Sequence, residues 1–292
     1  MAKARAIVKR RKAVRNIRKI TQTMQLIATA RFQKCLQRAM ASKPYTGKIT
    51  EMIQTLSSQG AVEHALLKPN DGVVPSILLA ITSNRGLCGA YNASVLRTAM
   101  AKRTELLEAG VTPSLELVGK KGVNYCRFLG YELAETTTDV EDRIAFSRVA
   151  EMAERYMRLY QERKIAHMDI VFMRFHSVGV QRPTVVQLLP IEPAEDEGAG
   201  DGAPAVRAEF EFSPPPAQLL ATLIPESVKV RLFQCFNDAI VSEQTARMIA
   251  MKAATDAAGD MIKFLTRQYN RARQSQITLE LADIVGGSEA VK

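Results

Sequence analysis

Residues 251–279 read MKAATDAAGDMIKFLTRQYNRARQSQITL. Met251, Ala254, Ala258, Met261, Leu265, Gln268, Ala272, Ser275 and Leu279 step through the stretch three and four residues at a time. That spacing keeps one line of side chains along an α-helix, the a/d seam of a coiled coil. From Glu226 to Val285 there is no proline and a single glycine, Gly259. An unbroken helix over that span is roughly 90 Å long, where an ordinary helix has about 11–12 residues. Several seam positions are small or polar, which suits a rod whose backbones approach closely.

The other end of the chain repeats the pattern. Ile17, Ile20, Met24 and Ile27 are spaced three, four and three, with Ile7 and Val14 earlier in the same stripe. A bend is expected at Pro44 and Gly47, after which Ile49, Met52, Ile53 and Leu56 resume an apolar face. The whole stretch spans roughly 80 Å if helical. Two seams of similar length at opposite ends of one chain predict an antiparallel pair.

Between the rods the period changes. The continuous apolar runs at 76–83, 115–118 and 169–175 have strand length, and helical patterns alternate with them at Ala93–Ala109, Gly122–Leu129 and Arg143–Arg163. Alternation of this kind predicts a small layered domain on a largely parallel sheet. Thr184–Leu189 and Arg207–Phe212 are read as a hairpin around the segment 191–206, which carries Glu192, Glu195, Asp196, Glu197 and Asp201 among Gly, Pro and Ala. Such a segment buries too little to offset the entropy of ordering and is expected to be mobile. The fold class is therefore α/β: a long antiparallel coiled coil of the N- and C-terminal helices with a small central α/β layer domain. The divisions are 1–58, 72–212 and 217–287.

Charge is unevenly placed. The first fifty residues hold fourteen Lys and Arg, among them Arg10, Arg11, Lys12 and Lys19, and no acid before Glu51. The remainder carries 26 basic against 30 acidic residues, so the net charge of +10 belongs to one rod. Localised charge speaks about partners rather than fold. Nucleic-acid binding is one reading, but Phe32 is the only aromatic before Tyr45, so no stacking residues interleave the cations. An acidic protein surface accounts for both the charge and the seam. The acid-poor, Arg-rich start imitates a mitochondrial transit peptide, yet the helical pattern runs past residue 30 without a cleavage-like break. Four scattered cysteines with no CxxC pair fit a reduced compartment, and no apolar run approaches the roughly 20 residues of a membrane span.

Signals for chemistry are sparse. His64, His167 and His176 have no Cys or carboxylate partner at metal-ligand spacing, and no phosphate loop or nucleophile elbow occurs. No cofactor, metal or catalytic residue is assigned. Asp139, Glu141 and Asp142 are read as N-terminal charges of the following helix. The loop SNRGLCGAYN at 83–92 follows a strand and precedes a helix, the usual place for a binding turn. Its Arg85, Gly86, Cys88 and Gly89 form either an anion-binding turn or a rigid surface that docks on a neighbour. An enzyme using this loop would need acid–base partners, and none is evident nearby.

These residues resemble the gamma subunit of F-type ATP synthases. SEQTARMIAMKAATDAAGD at 242–260 and YNRARQSQITLELADIVGG at 269–287 look like that family's most diagnostic segment, with Ile277, Thr278, Glu280, Asp283 and Gly287 on its signature. Ser288 stands where Ala is usual. Lys19, Ile20, Thr21, Met24 and Ala28 resemble the family's N-terminal helix, and 83–92 its central loop, where Asn84 replaces Asp and Ala90 replaces Gly. The resemblance covers both rods and most of the α/β region, not the acidic segment. It implies a non-catalytic rotor shaft that couples ion flow to conformational cycling of the catalytic β subunits. The terminal helices would stand inside a ring of α and β subunits, and the α/β domain against epsilon and the membrane c-ring. It places Ile17, Ile20, Met24, Ile27, Ala28, Met251, Ala254, Ala258, Met261 and Leu265 at the seam and rotor–stator interface. It implies peripheral attachment at the cytoplasmic face of a bacterial inner membrane, and no nucleic acid. A basic coiled-coil protein associated with nucleic acid is the alternative.

Overall fold

The computed structural model describes residues 2–58, 64–70, 72–191 and 216–290. The hairpin partner expected at Arg207–Phe212 and the acidic segment from Glu192 onward lie outside those residues. The chain divides into two compact units, Met1–Ala30 with Arg247–Lys292, and Arg31–Ala246. The terminal helices are α1, Ala2–Ser58, and α5, Pro216–Ala290, of 57 and 75 residues. Helix α1 continues through Pro44 and Gly47.

In the larger unit the described strands form one five-stranded sheet in the order β3-β2-β1-β4-β5. Strand β1 (Pro75–Ile81) is central and pairs in parallel with β2 (Thr112–Val118) on one side and β4 (Met168–Ser177) on the other. Strand β3 (Glu135–Thr137) extends the parallel part, and β5 (Val180–Leu189) closes the far edge antiparallel to β4. The sheet is therefore mixed. Residues 184–189, whose expected partner lies outside the described residues, pair with β4 through a short turn at Ser177–Val180.

Period-two alternation sorts the strand residues into two cores. Ile77, Leu79 and Ile81 face one side with Ile170 and Phe172, where they meet α4 (Phe146–Gln161), Phe32, Cys35 and Ala39 of α1, and Leu220–Val241 of α5. Leu78 and Ala80 face the other side with Leu115, Leu117 and Val171, under α2 (Tyr91–Glu108) and α3 (Lys120–Phe128). Helix α4 buries Val149, Met152, Ala153, Tyr156, Met157 and Tyr160, the one-faced spacing of an amphipathic helix. None of Asp139, Glu141 and Asp142 lies in its first turn, because the helix starts only at Phe146. Asp139 instead pairs with Arg148 at 3.7 Å, and Asp142 takes a role described below.

In the smaller unit, α1 and α5 run antiparallel. Thr255 Oγ1 donates to Thr21 Oγ1 at 2.8 Å, Gly259 lies beside Arg18, and Arg11 stacks over Tyr269 at 5.2 Å, so positions rise on one helix as they fall on the other. The inward line on α5 is Met251, Thr255, Ala258, Ile262, Leu265, Tyr269 and Ala272, a strict heptad. On α1 it is Ile7, Arg11, Val14, Thr21, Gln25 and Ala28, with Met24 partly covered. Met251, Ala258, Leu265 and Ala28 thus stand where the spacing put them. Ile17, Ile20 and Ile27 do not: they are 52%, 62% and 42% exposed, and Met261 is likewise exposed. Ala254 is half-buried beside Thr255. Reading the largest apolar side chains as the seam displaces it by one residue where the inward position is Thr21 or Ala28 on α1 and Ile262 on α5, next to the larger or equally apolar Ile20, Ile27 and Met261.

Gly259 needs no special backbone. A Cβ there would meet the Arg18 guanidinium at 3.8 Å, an ordinary contact. Gly259→Ala is expected to stabilise the chain by about 0.5–1 kcal/mol, since glycine in a helix interior costs that much relative to alanine. A rise in the thermal midpoint measures it.

Candidate functional site

The loop at 83–92 sits at the carboxyl end of β1, between neighbours β2 and β4 that are reached in opposite chain directions, where α/β sheets open a crevice. It turns through two left-handed residues, Leu87 at φ 65° and Gly89 at φ 57°. Its polar groups serve the chain itself. The Ser83 amide donates to Asn92 Oδ1 at 2.9 Å, Asn92 Nδ2 donates to Ser83 Oγ at 2.8 Å, and Ser83 Oγ donates to the Arg85 carbonyl at 2.7 Å. Asn84 Nδ2 donates to the carbonyls of Thr138, at 3.1 Å, and Val140, while its Oδ1 accepts the Lys120 amide at 3.0 Å.

The first amides of α3 are satisfied in the same way. Lys121 donates to the Ser83 carbonyl at 3.0 Å and Gly122 to Thr82 Oγ1 at 3.1 Å. A helix start that would attract an anion is occupied by protein acceptors. Among the docking-loop residues, Arg85 and Gly89 are exposed and Gly86 is half-buried, but Cys88 is core, packed with Tyr91, Val95 and Val123. Tyr91 ties the loop to α5 by donating to the Ala239 carbonyl at 3.2 Å. The polar groups of Ser83, Asn84 and Asn92 are thus engaged within the unit.

The basic face divides too. Arg10, Lys12 and Lys19 are exposed, whereas Arg11 is half-buried over the Tyr269 ring, a cation–π contact that belongs to the seam. Ile277, Thr278, Glu280, Asp283 and Gly287 are all exposed along the last turns of α5. With Ile17, Ile20 and Ile27 on α1 and Met261 and Phe264 on α5, the smaller unit presents many large apolar side chains to its surroundings.

Sequence reasoning missed one buried charge cluster. Glu116, 4% exposed on β2, accepts Tyr156 O–H at 2.7 Å and Arg155 Nη2 at 2.5 Å, and Arg155 also pairs with Glu135. Burial, then the adjacent Glu116 charge, raises the Tyr156 hydroxyl well above its ordinary value, so it stays a donor. The guanidinium of Arg155 is pushed above its ordinary value by Glu116 and its neighbours despite desolvation. An acid in the middle of the apolar run 115–118 was the available signal. On α5, burial pushes the Cys235 thiol up to about 12, against the opposing Arg231 charge, which leaves it a packing residue and not a nucleophile.

A family model described as ATP synthase matches residues 3–291. The ATP synthase gamma chain of Rhodopirellula baltica is 47% identical over 295 residues, covering 100% of both chains. That of Leptospira biflexa is 36% identical over 292 residues, again with 100% of each covered. Among solved structures, a chain of the Euglena gracilis mitochondrial ATP synthase (OSCP/F1/c-ring, rotational state 3) superposes with a TM-score of 0.68 at 18% identity, covering 99% of this chain and 95% of that one. A chain of the Tetrahymena thermophila mitochondrial ATP synthase central stalk/c-ring does so with 0.58 at 17% identity, covering 80% and 99%. At these identities the structural likeness is one of fold.

Proposed function

We propose that this chain, which belongs to the ATP synthase gamma-chain family, is the central rotor shaft of a rotary ATP synthase and itself carries no catalytic group. Ion flow through a membrane ring turns the shaft, and the shaft's unequal faces set each catalytic β subunit in a different conformation. A partner shifts an equilibrium only by interacting differently with its states. The asymmetry of this chain supplies that difference.

The observation that carries the reading is the surface of the smaller unit. Ile17, Ile20, Ile27, Met261 and Phe264 are exposed beside Arg10, Lys12 and Lys19. An exposed apolar row of this extent marks a surface covered by partners. Cations flanking it attract acidic partner surfaces without selecting a single register. The α and β subunits are the proposed sleeve, with epsilon and the c-ring as partners of the α/β unit. No described helix is long and apolar enough to cross a membrane, which suits a peripheral subunit at the cytoplasmic face of a bacterial inner membrane.

The test is reconstitution with α and β subunits, followed by ATP-driven rotation of a particle fixed to this chain. Stoichiometric assembly and directional stepping are expected; absence of either overturns the reading. Reversal of Arg10, Lys12 and Lys19 to glutamate is expected to slow association by roughly tenfold or more at low salt. The isolated chain should change stability by only about 0.5 kcal/mol or less per exposed site. Wild-type assembly rates at every ionic strength would remove the charge argument.

A further inference from the structure

The segment between β3 and α4 has no regular structure, yet it is where the sheet and both long helices are tied together by directional bonds. The Asp142 carboxylate pairs with Arg31 of α1 through one oxygen and accepts Gln244 Nε2 of α5 at 2.7 Å through the other. Its backbone carbonyl faces Arg38 Nη1 at 3.4 Å and the Cys35 thiol at 3.5 Å. Arg31, Cys35 and Arg38 lie four and three residues apart, on one face of α1. Two residues earlier in the segment, the Val140 carbonyl accepts Asn84, and Asn84 in turn caps the start of α3. On α5, the same stretch is held twice more: Tyr91 donates to Ala239, and Ser242 Oγ donates to the Met173 carbonyl at 2.9 Å.

We propose that Asp142 is a torque-bearing positioning residue, the joint through which the α/β layer grips both shaft helices; this rests on the rotor reading above. Apolar contact between a helix and a sheet is non-directional and sets no single angle by itself. A carboxylate held by a guanidinium on one helix and an amide on the other adds a directional geometry that apolar contact lacks, although Arg31 and Asp142 are 34% and 36% exposed and their charge is partly screened. The Asp142 segment is held at Thr138 and Val140 by Asn84, in the loop that follows β1, and Asp142 so placed resists rotation of α1 and α5 against the strands. The loop at 83–92 acquires a purpose in the same way. It braces the joint rather than binding a ligand.

The test uses the full chain assembled with its partner subunits. A single introduced cysteine, Arg127→Cys at an exposed position of α3, takes the particle, because all four native cysteines are buried. With the catalytic head held in one state, the angular fluctuation of the particle reports torsional stiffness. Asp142→Ala and Arg31→Met are expected to lower that stiffness, read as a wider angular fluctuation than in the unmutated chain. Ion pumping per ATP hydrolysed should fall with it, while hydrolysis by the head persists. A purely stabilising role would lower the melting midpoint of the isolated chain and leave stiffness and pumping ratio untouched, and that result overturns the proposal. If Asp142→Ala does not assemble, Asp142→Asn and Arg31→Met decide the matter by the same readout, and wild-type stiffness in both is equally fatal. Failure of the unmutated complex to rotate would count against the rotor reading instead.

Discussion

Gly119→Ala is expected to destabilise the larger unit by about 3–5 kcal/mol, combining a backbone conformation closed to L side chains with overpacking against main chain. Gly119 follows β2 at φ 96°, and a Cβ there would lie 2.3 Å from the Thr82 carbonyl oxygen and 2.8 Å from Thr82 Oγ1. Neither neighbour can yield. The Thr82 amide and hydroxyl both donate to the Val118 carbonyl, at 2.8 and 2.6 Å, and the Gly119 amide donates to Thr137 at 2.8 Å. The carboxyl ends of β1, β2 and β3 therefore meet at one residue without a side chain. Gly130→Ala is the control: its φ is 77°, and nothing lies within 4 Å of its added Cβ. It should lose only about 1 kcal/mol for the left-handed backbone. Urea unfolding of the isolated chain measures both, and equal losses would mean that the close approach at Thr82 carries no weight.

The same loop shows what the sequence could and could not disclose. Strands β1, β2 and β4 were legible because both of their faces are covered, so they read as continuous apolar runs. Strand β3 was not, since Glu135, Thr136 and Thr137 are polar and only Thr137 is buried. The first half of β5 escaped for a similar reason, with Gln181, Arg182 and Pro183 on an edge where side chains meet solvent. The polar loop residues were visible as a concentration of Asn, Ser and Gly. Whether their bonds went to a ligand or to carbonyls 54 and 56 positions away was not, because Thr138 and Val140 have no local relation to Asn84.

The seam fails in a more instructive way. Hydrophobicity ranks Ile17 and Ile20 above Thr21, yet Thr21 faces α5 and the isoleucines do not. A chain that packs on itself and also presents an apolar row to other subunits carries two stripes one residue apart on each helix. Periodicity reads their sum. The stripe that closes the intramolecular pair mixes Val14, Leu265 and Ile262 with Thr21, Thr255 and Ala258, and the exposed stripe of Ile17, Ile20, Ile27, Met261 and Phe264 remains for partners.

Arg155→Ala is expected to cost about 2–4 kcal/mol, less than the 3–5 kcal/mol typical of breaking a fully buried pair, because Arg155 is itself partly exposed. Removing it leaves the Glu116 carboxylate, 4% exposed, with Tyr156 as its remaining side-chain donor. Glu135→Ala, which removes only the exposed end of the same network, should change stability by about 0–1 kcal/mol. Arg155→Met with Glu116→Leu should recover most of the loss, since apolar replacement of a whole buried pair is often neutral. Tyr156 adds a pH signature. Its hydroxyl titrates above the ordinary value of 10.0 in the folded chain, through burial and then the Glu116 charge. A folded pKa above the unfolded one makes this contribution complete below about pH 10 and lost progressively as pH rises beyond it. Tyr156→Phe should therefore flatten the alkaline limb of the stability curve as well as lowering the plateau. An unchanged limb in that variant would mean that neither burial nor Glu116 raises the hydroxyl in the folded chain.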